Sequence, residues 1–214
     1  MEYGVEKIKE DVRIAIDENA QSEAFINNAD EDTLTLNQII ESKIEEAALM
    51  ACNAAPIHMV GDGNSFGDSL YWFDAEGNGG GYTLLPEDFL RLITFQMSDW
   101  SYPVSVAITM NHPKYAMQKS RFPGVRGCPQ KPVVAIVPRA IGLTLEFYSC
   151  TSGPDAKVIR ACYLPIPKVV NGEIELSERI YKAVVNQCAA LTMLTVGRAD
   201  AAEHFVKLSQ ELIK

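Results

Sequence analysis

The chain has 214 residues, 47% hydrophobic and 22% charged, with a formal net charge of -9, enough for one sizeable core or a core plus a smaller subdomain. The charge is uneven: residues 1–55 carry -9, 56–110 carry -6, 111–139 carry +6, and 140–214 balance at zero. An acidic total argues against general nucleic-acid coating, which needs a broad basic face, and five cysteines without a CxxC, with three scattered histidines, argue against a zinc site.

The first seven residues are charged and carry no signal-peptide apolar region. The longest uncharged helical stretch, 183–197, is too short and too polar to span a bilayer, so no membrane attachment is expected. In chain order, Val5, Ile8, Val12 and Ile16 recur at helical spacing and predict an amphipathic helix over about 3–18. A polar, acidic connection follows at 27–32. Thr35, with Gln38 three residues later, is a capping-box pattern. Leu36, Ile40, Ile44, Ala47, Ala48 and Ala51 mark one face of a second helix, which Pro56 ends.

The centre reads as strands and turns. Residues 69–73 and 81–85 flank a glycine loop at 74–80 as a hairpin-like pair. Pro86, Glu87 and Asp88 have the composition of a helix first turn, predicted to continue briefly over 89–92. Alternation predicts strands over 104–109, over 133–137 and at Ile141, Leu143, Leu145 and Phe147. A turn at 151–155 leads back into a strand over 157–164. Leu176 and Ser177 open a helix with Tyr181, Val184, Cys188, Leu191 and Thr195 on one stripe and Gly197 as its stop. A last helix, about 199–212, carries Ala201, Ala202, Phe205, Leu208 and Leu212. The predicted fold class is α+β: a helical bundle formed by both chain ends (1–58 and 172–214) with a central β-rich insert (59–171) that bears a basic loop.

Motifs for chemistry are sparse. Residues 61–68 place oxygen donors at alternate positions as a calcium loop does. Phe66 stands where an oxygen is required and Phe73 where the bidentate glutamate belongs, so a turn is expected and no metal. The glycines at 77–81 lack the Gly-Lys-Ser/Thr of a phosphate loop and lead into a strand, not a helix N-terminus. Cys128 or Ser65 with His58, His112 or His204 would supply a nucleophile and base, but no nucleophile elbow is present and the histidines lie in unrelated segments. His112, before Pro113, reads as a turn cap. The expectation is a non-enzymatic chain with no cofactor and no catalytic or metal-binding residues.

One stretch stands out. Residues 101–145 hold no carboxylate, yet include Lys114, Lys119, Arg121, Arg126, Lys131 and Arg139. Proline and glycine are spaced there as in a loop, not a regular helix. A basic loop on an acidic body fits a subunit contact against acidic helices or phosphate contacts. Tyr115 and Phe122, beside Lys114 and Arg121, would stack on bases in one case and anchor the loop to its own core or to a neighbour in the other. These six cations are the predicted subunit-interface residues. The alternative is a ligand- or nucleic-acid-binding module in the β-rich region: Tyr71-Trp72-Phe73 and Trp100-Ser101-Tyr102 suggest a small-ligand or carbohydrate site and the basic loop a nucleic-acid contact, although alternation within strands places such aromatics in a core.

The run Leu84-Leu85-Pro86-Glu87-Asp88-Phe89-Leu90-Arg91-Leu92, followed by Ser98-Asp99-Trp100-Ser101-Tyr102-Pro103-Val104, Pro113-Lys114-Tyr115-Ala116-Met117-Gln118 and Arg126-Gly127-Cys128-Pro129-Gln130-Lys131-Pro132-Val133-Val134-Ala135, resembles the head–tail connector (adaptor or ring) proteins of tailed bacteriophages, especially crAss-like phages. The likeness covers about residues 84–148, with a looser one at 189–197. It implies a virion structural protein of the head–tail neck, made in the bacterial host cytoplasm. Such proteins form homo-oligomeric rings, commonly of twelve copies, beneath the portal. The ring prolongs the channel through which genomic DNA passes without sequence-specific binding, and it docks later tail proteins. Related short-tailed-phage adaptors carry a β-rich insert on a helical bundle. A ring needs unlike surfaces that meet head to tail and a lumen that does not grip phosphates. The basic loop is therefore expected to face another subunit, not the genome.

Overall fold

The computed structural model describes residues 1–19, 35–73, 79–120, 122, 124–148 and 150–214. The expected acidic connection at 27–32, most of the glycine loop and Arg121 lie outside the described residues. In chain order the elements are β1 (Glu2–Gly4), α1 (Val5–Asn19), α2 (Leu36–Ala54), β2 (Asn64–Ser65), β3 (Leu70–Trp72), β4 (Gly81–Leu84), β5 (Phe89–Met97) and β6 (Ile108–Thr109). There follow α3 (Pro113–Met117), β7 (Val134–Arg139), β8 (Gly142–Phe147), β9 (Val158–Pro165), β10 (Val169–Val170), β11 (Glu173–Glu175), α4 (Glu178–Thr195) and α5 (Ala199–Leu212). The fold is α+β, with helices from both chain ends packed together and a β-rich centre. The chain forms two compact units, Met1–Gly61 with Ile166–Lys214, and Asp62–Pro165.

In the helical unit α4 is the central element, touching α1, α2 and α5. The spacing of Val5, Ile8, Val12 and Ile16 puts all four in the core. The helix begins at Val5, however, and the preceding residues form a strand. Tyr3 lies opposite Ile174 in the antiparallel β1–β11 pair, and its ring stacks on Tyr181 at 4.2 Å. Strand pairing and this stack override the predicted helix at residues 3–4. Thr35 and Gln38 form the predicted box: Gln38 N–H donates to Thr35 Oγ1 at 3.4 Å and Thr35 N–H to Gln38 Oε1 at 2.9 Å. Gly197, at φ 85°, ends α4 with two bonds, Gly197 N–H to Leu194 O and Arg198 N–H to Met193 O, a Schellman closure that a left-handed residue permits.

The stripe predicted for α4 is too narrow. Ile180, Ala183, Val185, Gln187, Ala189, Ala190, Thr192 and Met193 are buried beside Val184 and Cys188, while Thr195 is exposed. A helix with neighbours on three sides buries most of its circumference. Small residues let those neighbours approach: Cys188 Sγ reaches Ile40 O of α2, and Ser209 Oγ of α5 donates to Ala183 O at 2.9 Å.

The β-rich unit holds two sheets, β2-β9-β5 and β3-β4-β8-β7-β6, which share one core. Phe95 of β5 stacks on Phe147 of β8 at 5.9 Å, with Leu92, Met97, Trp100, Val134, Leu145 and Tyr163 around them. The predicted helix at 86–92 is not present. Pro86–Asp88 make a turn closed by Phe89 N–H to Pro86 O at 3.1 Å, and β5 runs from there. Helix propensity over four residues yields to pairing with β9 along the whole strand. Within 104–109 only a Val104–Phe95 bridge and the two-residue β6, parallel to β7, take the predicted extended form as paired strand. In β8, Leu145 and Phe147 enter the core but Leu143, like Ile141 just before the strand, is exposed, and on the opposite face Thr144 and Glu146 are buried. That second face is covered by Tyr148 and by Tyr115 of α3, which gather with Ala135, Val137 and Ile108 into a small satellite core.

Candidate functional site

The basic segment is ordered by local bonds. His112 Nδ1 accepts the Lys114 N–H at 3.1 Å, Pro113 takes the first helical position, and a five-residue helix, α3, stands where the proline and glycine spacing predicts only loop. Buried Gln118 closes the loop on itself. Its Nε2 donates to Lys114 O at 2.9 Å and its Oε1 accepts the Gly127 N–H at 2.8 Å. A Cys128–Lys131 bridge follows, and Ser101 N–H donates to Pro129 O at 2.9 Å.

Of the six predicted interface cations, Lys114, Lys119 and Lys131 are exposed and Arg126 is half-buried. Exposed apolar side chains lie among them in sequence: Met117, Val125 and Phe122, the last 73% exposed.

Arg139 sits differently. Its Nη2 donates to Glu146 Oε1 at 2.6 Å, and its guanidinium lies 4.4 Å from the Tyr82 ring centroid and 5.5 Å from that of Phe73. Glu146 is only 3% exposed. Its Oε2 accepts from Tyr148 Oη and, at 3.2 Å, from Tyr115 Oη. The register explains the gathering: Glu146 lies opposite Tyr82 on β4 and Ala135 on β7, so residues 135, 137 and 139 share its face. Burial, reinforced by the Glu146 charge, pushes the Tyr115 and Tyr148 phenols above their ordinary range, which keeps both as donors. The cluster is a paired buried carboxylate with its hydrogen-bond capacity used inside the chain.

The aromatic candidates divide. Trp100 is buried edge-on to Phe95 at 5.8 Å, and Trp72 packs edge-on to Phe147 at 5.2 Å. Tyr71 is exposed and stacks on Tyr82 at 5.1 Å, while Tyr102 stands in solvent. Tyr115 anchors the basic segment to its own sheet. The histidines are dispersed: His112 caps α3, His204 is exposed beside Phe205, and His58 is exposed with its carbonyl bound by Arg179. Asn64 and Ser65 of the calcium-like stretch form β2 against Tyr163 and Cys162. Among the described residues no group of three or more His, Cys, Asp or Glu side chains is placed to hold a metal, and no helix is long and apolar enough to cross a membrane.

The acidic helices expected to oppose the basic loop use part of their charge internally. Lys9 pairs with Glu6 at 2.6 Å and Glu41 at 3.3 Å, Lys43 with Glu46 at 3.0 Å, and Glu45 accepts the Val169 N–H at 2.8 Å.

Glu146, Tyr148 and Tyr82 are absent from the sequence-based candidates. A signal for them exists: a lone carboxylate on the Thr144-Glu146-Tyr148 face of an apolar strand, a hairpin away from Arg139. No known family model matches the chain, and no curated protein is significantly similar to it.

Proposed function

We propose that the chain is a structural protein of the bacteriophage neck that assembles head to tail into a ring beneath the portal and extends the channel for genomic DNA. The likeness over residues 84–148 is one support. The observation that carries the reading is the surface of the basic segment, where exposed Lys114, Lys119 and Lys131 are interleaved in sequence with exposed Met117, Phe122 and Val125. Phosphate binding would employ the cations and leave the apolar side chains in water. A protein partner employs both, with the apolar groups as the dry centre of a contact and the lysines as its orienting rim. A neighbouring copy, acidic over residues 1–55, offers the opposite charge.

The test is a charge-reversed variant, Lys114→Glu with Lys119→Glu and Lys131→Glu, imaged in negative stain alone and with the portal protein of the same phage. The wild-type chain forms rings in at least one condition, and the variant remains folded by tryptophan fluorescence but forms none. Intact rings from the variant overturn the reading. A second reading, a ligand- or nucleic-acid-binding module, draws on exposed Tyr71 stacked on Tyr82. It requires a monomer that binds single-stranded DNA in a salt-dependent way.

A further inference from the structure

Tyr102 joins an exposed ring to a fixed backbone. The residue is 63% exposed, and among the described residues no hydrogen bond engages its phenol. The chain around it is held on both sides. Trp100, buried against Phe95, donates its N–H to Met97 O at 3.1 Å, Ser101 N–H donates to Pro129 O at 2.9 Å, and Val104 exchanges two backbone bonds with Phe95 at 2.8 and 2.9 Å. Pro103 locks its own φ between them. An isolated exposed apolar side chain is ordinary surface. An exposed tyrosine on an ordered turn differs: its backbone has little freedom left to lose when a partner covers it, and its ring offers a large apolar area behind a polar tip.

The Ser101–Pro129 bond also sets its neighbours. Pro129 lies within the turn closed by Cys128 N–H to Lys131 O at 3.2 Å and Lys131 N–H to Cys128 O at 2.8 Å. That turn belongs to the basic segment and carries exposed Lys131. The stretch that holds Tyr102 therefore adjoins the basic segment in space although it precedes it in sequence. Val106, 76% exposed just past the Val104 bridge, adds an aliphatic group to the same stretch.

We propose that Tyr102 is an anchor residue of a contact with a second copy of the chain. The inference rests on the ring-subunit reading and adds to its lysines a residue from a separate segment. Charge favours a copy as the occupant: Lys131 lies in the adjoining turn, residues 101–145 hold no carboxylate, and residues 1–55 of the neighbour carry -9. A nucleic-acid base stacked on Tyr102 would leave Val106 in water, whereas a protein surface covers both.

Sedimentation velocity of the full chain, alone and with the portal protein of the same phage, tests the anchor through Tyr102→Ala and Tyr102→Phe. Tyr102→Ala is expected to weaken association by ~30-fold or more, the loss typical of an interface anchor, while Tyr102→Phe, which keeps the ring, stays within about fivefold of wild type. Because the side chain is in solvent in the free chain, the urea midpoint followed by tryptophan fluorescence stays within about 0.3 M of wild type for both variants. A weakening of less than about tenfold in Tyr102→Ala, or one matched by a lower urea midpoint, refutes the anchor. So does a loss of single-stranded DNA binding with association unchanged. The ring reading is separable: if reversal of Lys114, Lys119 and Lys131 abolishes rings and Tyr102→Ala does not weaken them, that reading holds and the anchor fails. A wild-type chain that self-associates in neither condition overturns both.

Discussion

Truncating Arg139 to alanine strands a carboxylate that is 97% removed from solvent. Two contributions disappear together. The 2.6 Å charge-assisted bond to Glu146 contributes about 1.5–3 kcal/mol, and the guanidinium 4.4 Å above Tyr82 adds roughly 0.5–1 kcal/mol at a partly wet site. Because the Arg139 side chain is 33% exposed, water already screens the pair, and the total falls near the low end of the 3–5 kcal/mol typical of a fully buried pair, at about 2–4 kcal/mol. Both tryptophans, Trp72 and Trp100, lie in the Asp62–Pro165 unit, so intrinsic fluorescence during urea unfolding reports on the unit that contains the pair. With a urea slope of about 2 kcal/mol/M, the midpoint falls by roughly 1–2 M. Adding Glu146→Gln to Arg139→Ala removes the stranded charge and restores part of the loss, giving a coupling of at least about 1 kcal/mol. Arg139→Lys, a point charge without the planar stack, falls between wild type and alanine. A midpoint shift below about 0.3 M, or strict additivity of the two substitutions, would refute the assignment of Glu146 as a carboxylate dependent on Arg139.

Three further outcomes are expected. Gly79 and Gly153 have nearly the same positive φ, 51° and 53°, but a Cβ at Gly79 would overlap the Cys150 carbonyl oxygen, whereas one at Gly153 meets open space. Gly153→Ala therefore costs about 1–2 kcal/mol from backbone strain alone, Gly79→Ala costs clearly more, and equal losses in urea unfolding would contradict the clash. Phe205→Ala, at the α5 contact in the helical unit and 1% exposed, costs about 3–5 kcal/mol by far-UV circular dichroism, and a loss under about 1 kcal/mol would show that α5 does not depend on it. Burial pushes the Cys150 and Cys188 thiols from their ordinary 9.0 up to about 12. The folded chain then keeps protons that the unfolded chain releases, so this stability is intact below about pH 9 and declines from there toward pH 12, by up to about 1.4 kcal/mol per unit for each thiol. Melting temperatures that stay flat from pH 8 to about 10.5 would count against it.

The helical half of the fold was legible because its signals are short-range. Thr35 and Gln38, Pro56 and Gly197 act within one turn of their own helix: α2 has the limits the first three imply, and α4 ends where Gly197 implies. The failures share a cause. Residues 3–4 and 86–92 read as helix from local periodicity and composition, yet residues 3–4 and the strand from Phe89 pair with strands far along the chain, β11 and β9 respectively. The α4 stripe was undercounted because the number of neighbours around a helix is not written in its own period.

The basic segment shows where the division falls. Its charge, its lack of carboxylates and its proline and glycine spacing are properties of the sequence alone, as are the acidic run before it and the caps of the helices. Which cations face solvent was decided by tertiary structure. Lys114, Lys119 and Lys131 are exposed, while Arg139 is held inward because strand register brings Glu146, Tyr82 and Tyr148 to the face it occupies. A charge is counted from residue type, but its freedom depends on desolvation and partners, and those exist only once distant strands have met.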